Sequence, residues 1–247
     1  MTRVPPPGAP PRANVDAAEV AKFASLAHHW WDPDSAMFGP LHKINPLRVE
    51  WLDRIAGGLA GKRVVDVGCG GGILSEALAA RGADVVGIDL GEKALGVAKL
   101  HQLETGSSVD YRLVAAEVLA AEEPAAFDVV ACMELLEHVP DPAAIVAACG
   151  ALCKPAGLVA ISTINRTPKA YALAVIGAEY VLQLLPRGTH DYAKFLQPAE
   201  IARFARQARL VHGDITGLAY NPFAKTFRLV ADTAVNYMMA FRRPADA

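Results

Sequence analysis

The sequence has few cysteines, no long apolar run and no excess of one charge. The four cysteines, Cys69, Cys132, Cys149 and Cys153, form no CxxC pair and lie in apolar or glycine-rich stretches without histidine clusters. That pattern excludes a disulfide framework or zinc site and predicts reduced thiols in a cytoplasmic setting. Nowhere do about 18 consecutive apolar residues occur, so a transmembrane helix is not expected. Lys plus Arg number 24 against 26 Asp plus Glu, a net charge of -2, which offers no basic surface for nucleic acid. The N-terminus lacks the apolar core of a secretory leader. Pro5, Pro6, Pro7, Pro10 and Pro11 stand there instead, so residues 1–13 are expected to be a disordered tail. What remains, over 247 residues with 53% hydrophobic side chains, suffices for a substantial core.

Two helices are predicted ahead of the first strand. Val20, Phe23, Leu26 and Ala27 recur at helical spacing after Asn14 or Asp16, and a second helix follows Leu41–Arg48 and stops near Gly57-Gly58. From Arg63 onward, short Val/Ile-rich segments (63–67, 84–90, 109–114, 127–133 and 158–164) alternate with helical stretches at 72–81, 92–105 and 141–153. Uninterrupted apolar strands separated by helices imply a parallel sheet covered on both faces. A helix after Pro198 and two late strands, near 210–218 and 235–242, complete a doubly wound, Rossmann-like α/β fold with a mostly parallel seven-stranded sheet. The expected organisation is a helical extension over 14–60 and a catalytic domain over 61–247 carrying an insertion at 166–197.

Directly after the first strand comes Asp66-Val67-Gly68-Cys69-Gly70-Gly71-Gly72. Gly68, Gly70 and Gly72 let the backbone turn tightly and approach a ligand where a strand's carboxyl end meets a helix N-terminus. A dinucleotide fingerprint requires glycine at position 73, where Ile73 stands, and G-x-G-x-G favours S-adenosyl-L-methionine over NAD. Asp89, at the end of the second strand, is suited to both ribose hydroxyls.

Through VVDVGCGGG (64–72), VVGIDL (85–90) and FDVVACMELLEHV (127–139), the chain resembles class I S-adenosylmethionine-dependent methyltransferases. Within that superfamily it is similar to the ubiquinone-biosynthesis O-methyltransferase family, through FASLAHHWWDPDS (23–35), PLHKINPLRVEWL (40–52), TINR (163–166), RGTHDY (187–192) and GLAYNP (217–222). The resemblance covers residues 14 to 240. It implies methyl transfer to phenolic hydroxyls of polyprenylated precursors, 2-polyprenyl-6-hydroxyphenol and 3-demethylubiquinol. It also implies that Arg48 reaches the methionyl carboxylate, Gly68 and Gly70 lie under the cofactor, Asp89 takes the ribose and Met133 packs near adenosine and sulfonium. On residue type alone, Arg48 could equally pair on the surface and Met133 could be plain core.

A phenol has a pKa near 10, so a base or bound cation should assist its ionisation. Glu134, Glu137 and His138 follow the fourth strand, and i, i+3, i+4 spacing on a helix would place them on one face. Two readings stay open: His138 as general base with Glu137 beside it, or all three as ligands of Mg²⁺. His190 and Asp191 are the alternative base, while His101 and His212 read as surface residues. The apolar stretch between Lys169 and Arg187 is interrupted by Glu179 and reads either as a buried core helix or as an interfacial helix. A polyprenyl substrate favours the second, with a cytoplasmic enzyme held peripherally on the inner membrane, alone or beside other ubiquinone-biosynthesis enzymes. A methyltransferase for another small phenol and a catalytically silent lipid-binding scaffold are the competing functions.

Overall fold

A computed structural model describes residues 14–173, 191–221 and 224–246. Its single sheet runs in the order β3-β2-β1-β4-β5-β8-β6-β7. The strands are β1 (Arg63–Val67), β2 (Asp84–Asp89), β3 (Asp110–Leu113), β4 (Phe127–Met133), β5 (Cys153–Ile164), β6 (Val211–Asn221), β7 (Thr226–Val230) and β8 (Asn236–Arg242). The first five pair in parallel, and β8, β6 and β7 add on antiparallel. The expected seven strands are thus eight: Thr226–Val230 folds back on β6 as an edge hairpin.

The helices are α1 (Ala17–Leu26), α2 (Gly39–Ala56), α3 (Ile73–Ala79), α4 (Glu92–Thr105), α5 (Ala116–Glu122), α6 (Pro142–Leu152), the short turn α7 (Pro168–Ala170) and α8 (Pro198–Gln207). Local chemistry sets their ends. Asp16 accepts hydrogen bonds from the N–H groups of Ala18 and Glu19 at the start of α1, and Asp141 does the same for Ala143 and Ala144 ahead of α6. Gly57 closes α2 in the left-handed conformation, φ 70°.

Alternating strand residues feed two cores. Val65, Val67 and Ile88 join α5, α6 and α8 on one face, whereas Val64 and Val85 join α2 and α3 on the other. The helical extension is therefore welded to the sheet, since Trp51 and Leu52 of α2 are fully buried with Leu74 and Leu78 of α3. Because β1 lies between β2 and β4, the chain reverses its winding direction at β1. The crevice at the carboxyl ends of β1 and β4 is where such a sheet holds its ligand.

Candidate active site

The glycine-rich turn leaves β1 with its backbone held from three directions. The N–H groups of Gly68 and Cys69 donate to the carbonyl of Ile88, at 2.8 and 3.0 Å, and the N–H of Gly70 donates to Asp89 Oδ2 at 2.9 Å. Asp89 Oδ1 accepts from the N–H of Gly91 at 2.6 Å. Burial pushes the Asp89 carboxyl up, against these two N–H donors. Each Asp89 oxygen keeps a second lone pair for a ligand hydroxyl.

The glycines answer to more than a ligand. A Cβ on Gly70 or Gly71 would collide with the indole of Trp30, and one on Gly72, at φ 89°, with the hydroxyl of Tyr111. Trp30 stacks on Phe38 at 4.2 Å between ring centroids, and Trp31 Nε1 donates to the carbonyl of Gly71 at 2.9 Å. The segment between α1 and α2 thus roofs the turn. Cys69 is buried, and burial with Asp66 and Asp89 nearby pushes its thiol well above the ordinary value, so it holds no thiolate.

Beside this turn, Arg48 of α2 is buried, and its Nη2 donates to Glu134 Oε1 at 2.6 Å. Arg48 Nε has no protein hydrogen-bond partner. One turn earlier on α2, buried Asn45 donates through Nδ2 to the carbonyl of Ile73 at 3.0 Å, which fixes the amide and leaves Oδ1 without a protein partner. A spare donor and a spare acceptor therefore stand three residues apart on one helical face. Asp66, fully buried in β1, accepts from Ser75 Oγ at 2.6 Å. Burial raises its pKa to about 6, opposed by the Ser75 hydrogen bond and Arg48. Met133 ends β4, buried at the cavity wall.

After Met133 the chain does not form the expected helix. Glu134 sits at φ 53°, a left-handed conformation costly for a residue with a side chain, and only Leu136–His138 forms a single 3-10 turn. Two of the three polar side chains, Glu134 and Glu137, remain neighbours, and His138 turns to α1. Glu134 is held by Arg48 and by Ser162 Oγ at 2.8 Å. Burial raises its pKa, but Arg48 and the Ser162 hydrogen bond outweigh that and hold it below the ordinary value. Glu137 accepts from Thr163 Oγ1 at 2.8 Å, and burial together with Glu134 pushes it well above the ordinary range, which keeps it protonated. His138 Nδ1 lies 3.2 Å from Glu19 Oε2 of α1. Burial lowers its pKa, against the pull of Glu19, so the ring is neutral near pH 7.

Of the three side chains in the Mg²⁺ reading, Glu134 and Glu137 stand side by side and His138 is turned toward Glu19. Among the described residues no three His, Cys, Asp or Glu side chains are gathered as metal ligands. Of the alternative base, His190 lies outside the described residues, and exposed Asp191 caps the turn at 192–194 by accepting from the N–H of Ala193. Exposed His212 fits the surface reading. His101 does not. Its ring stacks on Trp31 at 3.4 Å between centroids, and its Nδ1 bonds buried Glu76 at 3.0 Å. Most of the apolar stretch also falls outside the described residues; of it, Tyr171 and Leu173 are exposed.

One cavity of about 870 Å³ opens beside the glycine-rich turn. Gly68, Gly70, Asp89 and Met133 line it with Arg48, Asp66, Glu137 and His138, and Phe23, Phe38, Leu41 and Phe227 supply apolar wall. The methyltransferase domain family matches residues 41–210. The chain is 65% identical over 233 residues to the ubiquinone biosynthesis O-methyltransferase of Thiobacillus denitrificans, covering 94% of this chain and 100% of that protein. Identity to the protein of the same name from Nitrosomonas europaea is 61% over 229 residues, 93% of this chain and 97% of that one. The chain belongs to the ubiquinone biosynthesis O-methyltransferase family.

Solved structures bear out the fold. The Burkholderia thailandensis 1,6-didemethyltoxoflavin-N1-methyltransferase matches with a TM-score of 0.64 at 20% identity, covering 97% of this chain and 94% of that chain. Magnesium protoporphyrin IX methyltransferase from Synechocystis PCC 6803 gives 0.62 at 21% identity, over 94% and 90%. The residues that sequence reasoning missed are those whose role lies in a distant contact. Asn45 lies within HKINPLR with no local sign of a ligand contact, Asp66 lies inside a strand, and nothing local marks Glu19 as the partner of a histidine 119 positions away.

Proposed function

We propose that the protein moves the methyl group of S-adenosyl-L-methionine onto phenolic hydroxyls of polyprenylated ubiquinone precursors, 2-polyprenyl-6-hydroxyphenol and 3-demethylubiquinol. The observation that carries this reading is the single cavity in which the glycine-rich turn and Asp89 meet His138 and an apolar wall. Bound S-adenosyl-L-methionine supplies a methyl carbon activated by positive sulfur, so the protein's task is largely orientation and proton removal.

The residues present fit that co-substrate. Arg48 and Asn45 provide, one turn apart, the donor and acceptor that an amino-acid zwitterion requires, and both have an unpartnered buried atom to offer. Asp89 takes the ribose hydroxyls while its bonds to Gly70 and Gly91 keep the turn closed. Met133 packs against the adenosine side. His138, neutral and lining the cavity, receives the phenolic proton at Nε2, and Glu134 and Glu137 shape the floor beside it. The apolar wall from α1, α2 and β7 accepts the start of the prenyl chain.

Because the acceptor is a lipid, the enzyme works peripherally at a membrane surface. Among the described residues no helix is long and apolar enough to cross a membrane, and exposed Tyr171 and Leu173 mark an apolar side beside α7. The test is turnover of short-tailed demethylubiquinol with methyl-labelled S-adenosyl-L-methionine. Label on the phenolic oxygen supports the reading, and cofactor binding without transfer would favour a silent lipid-binding scaffold.

A further inference from the structure

Ile164 of β5, Asn236 of β8, Leu218 of β6 and Leu229 of β7 stand in register across the sheet. Directly opposite residues of antiparallel strands share a face, so this row is aliphatic at three positions and carries an amide at the fourth. Ile164, Asn236 and Leu218 all line the cavity. Asn236 is half-buried, and its Oδ1 is cut off from solvent without a hydrogen-bond partner among the described residues. An orphan acceptor of this kind costs stability. Aliphatic neighbours on both sides show that the sheet itself has no need of it.

The amide is also held from behind. Asn165, at the end of β5, donates through its N–H to the carbonyl of Val235 at 2.7 Å and through Nδ2 to that of Thr233 at 2.9 Å. Thr167 Oγ1 donates to the carbonyl of Ala234 at 2.6 Å. The three residues ahead of Asn236 are thus pinned, and the orphan oxygen is presented on fixed backbone. Ser162, two residues before Ile164 and hence on the same face of β5, donates through Oγ to Glu134 Oε1. Asn236 therefore stands one strand across from Ser162 and about 7 Å nearer the sheet edge.

We propose that Asn236 is a specificity-determining residue for the acceptor, its Oδ1 taking a hydrogen bond from the ring hydroxyl next to the one that is methylated. This rests on the reading of the protein as an O-methyltransferase for the two phenols named above. In 2-polyprenyl-6-hydroxyphenol the methylated hydroxyl has a second hydroxyl on the adjacent carbon, and in 3-demethylubiquinol it has the 4-hydroxyl of the quinol. The two rings differ in their other substituents, and a neighbouring O–H is what they share. A buried acceptor that no group of the protein satisfies favours a ligand that brings a donor and rejects one that leaves it empty. Ile164 and Leu218 beside it offer only apolar contact, so this hydrogen bond fixes which way round the ring lies.

The experiment measures kcat and KM of the full chain for short-tailed 2-prenyl-6-hydroxyphenol and for its analogue lacking the 1-hydroxyl, with inhibition constants where turnover is too slow to follow. Wild type is compared with Asn236→Leu and Asn236→Ala, alongside calorimetry with S-adenosyl-L-methionine and thermal denaturation. Asn236→Leu should raise KM for the dihydroxy acceptor about tenfold and leave the monohydroxy analogue unaffected, which shrinks the wild-type preference by about that factor. Cofactor affinity should not change, and the thermal midpoint should stay equal or rise. Asn236→Ala should reduce the preference in the same direction. Wild type that methylates neither acceptor would remove the functional reading and this inference with it. Wild type that methylates the dihydroxy acceptor but shows no preference for it, or variants that keep the full preference, would overturn this inference alone. A lowered thermal midpoint in Asn236→Leu with equal losses on both acceptors would make Asn236 a structural residue and overturn it as well.

Discussion

Two carboxyls under the glycine-rich turn, buried Asp66 and half-buried Asp89, behave differently, and each makes a prediction. Asp89 accepts two backbone N–H bonds in addition to its proposed ribose contacts. Asp89→Ala should therefore weaken S-adenosyl-L-methionine by about 1.5–3 kcal/mol per lost charge-assisted bond, or roughly tenfold or more, as read by calorimetry. Unchanged affinity in the folded variant would refute the assignment. Asp66 has a folded pKa of about 6 against an ordinary 3.8. The folded protein holds this proton more tightly than the unfolded chain does, so the contribution of Asp66 to stability is complete below pH 3.8 and is lost as pH rises to about 6. A cationic cofactor favours the ionised form. Its affinity should accordingly fall as pH drops through about 6, with proton release on binding, and Asp66→Asn should flatten that dependence. The Asn45–Arg48 pair adds a third test, in which Asn45→Ala loses cofactor affinity while α2, anchored by Trp51 and Leu52, stays folded.

At the scale of elements, the glycine-rich turn is as much a packing device as a binding loop. Gly72→Ala places a side chain at φ 89° against the Tyr111 hydroxyl, which should cost about 1–3 kcal/mol for the backbone alone. That hydroxyl is itself buried without a hydrogen-bond partner, so Tyr111→Phe should leave thermal stability unchanged or raise it and should partly rescue Gly72→Ala. A large loss in Tyr111→Phe would contradict this view. The same turn shows what a sequence can and cannot disclose. Four of the five parallel strands, β1, β2, β4 and β5, were legible because each holds an apolar run buried on both faces, and Asp89 because it ends one; β3 buries only Tyr111. β7 was not legible, since Thr226–Val230 is a short edge strand with no fully buried residue, nor was α5, a seven-residue helix without a side-chain cap. Glu134, Glu137 and His138 have the spacing of a helical face, but the left-handed turn at Glu134 removes the helix on which that spacing depends. Trp30 over Gly70 and Glu19 at His138 are contacts between distant segments, and no local pattern encodes them.

Over the whole molecule, the N-terminal helices, the sheet's carboxyl edge and the β6–β7 hairpin close around one cavity, which is where the proposed function puts both cofactor and acceptor. The exposed pair Tyr171 and Leu173 offers a handle on the proposed membrane contact. Replacing both with Asp should leave the fold intact, because neither is buried, and should reduce co-sedimentation with anionic liposomes while sparing turnover of a short-tailed, water-soluble substrate. Equal sedimentation of wild type and variant would place membrane contact elsewhere. The central claim is that this cavity performs phenolic O-methylation, and it is tested most directly by incubating the protein with methyl-labelled S-adenosyl-L-methionine and short-tailed demethylubiquinol and identifying the product by mass spectrometry. One labelled methyl is expected on the phenolic oxygen, with S-adenosylhomocysteine formed in equal amount and production collapsing in His138→Ala. Tight cofactor binding with no labelled ether, or label on carbon, would contradict it.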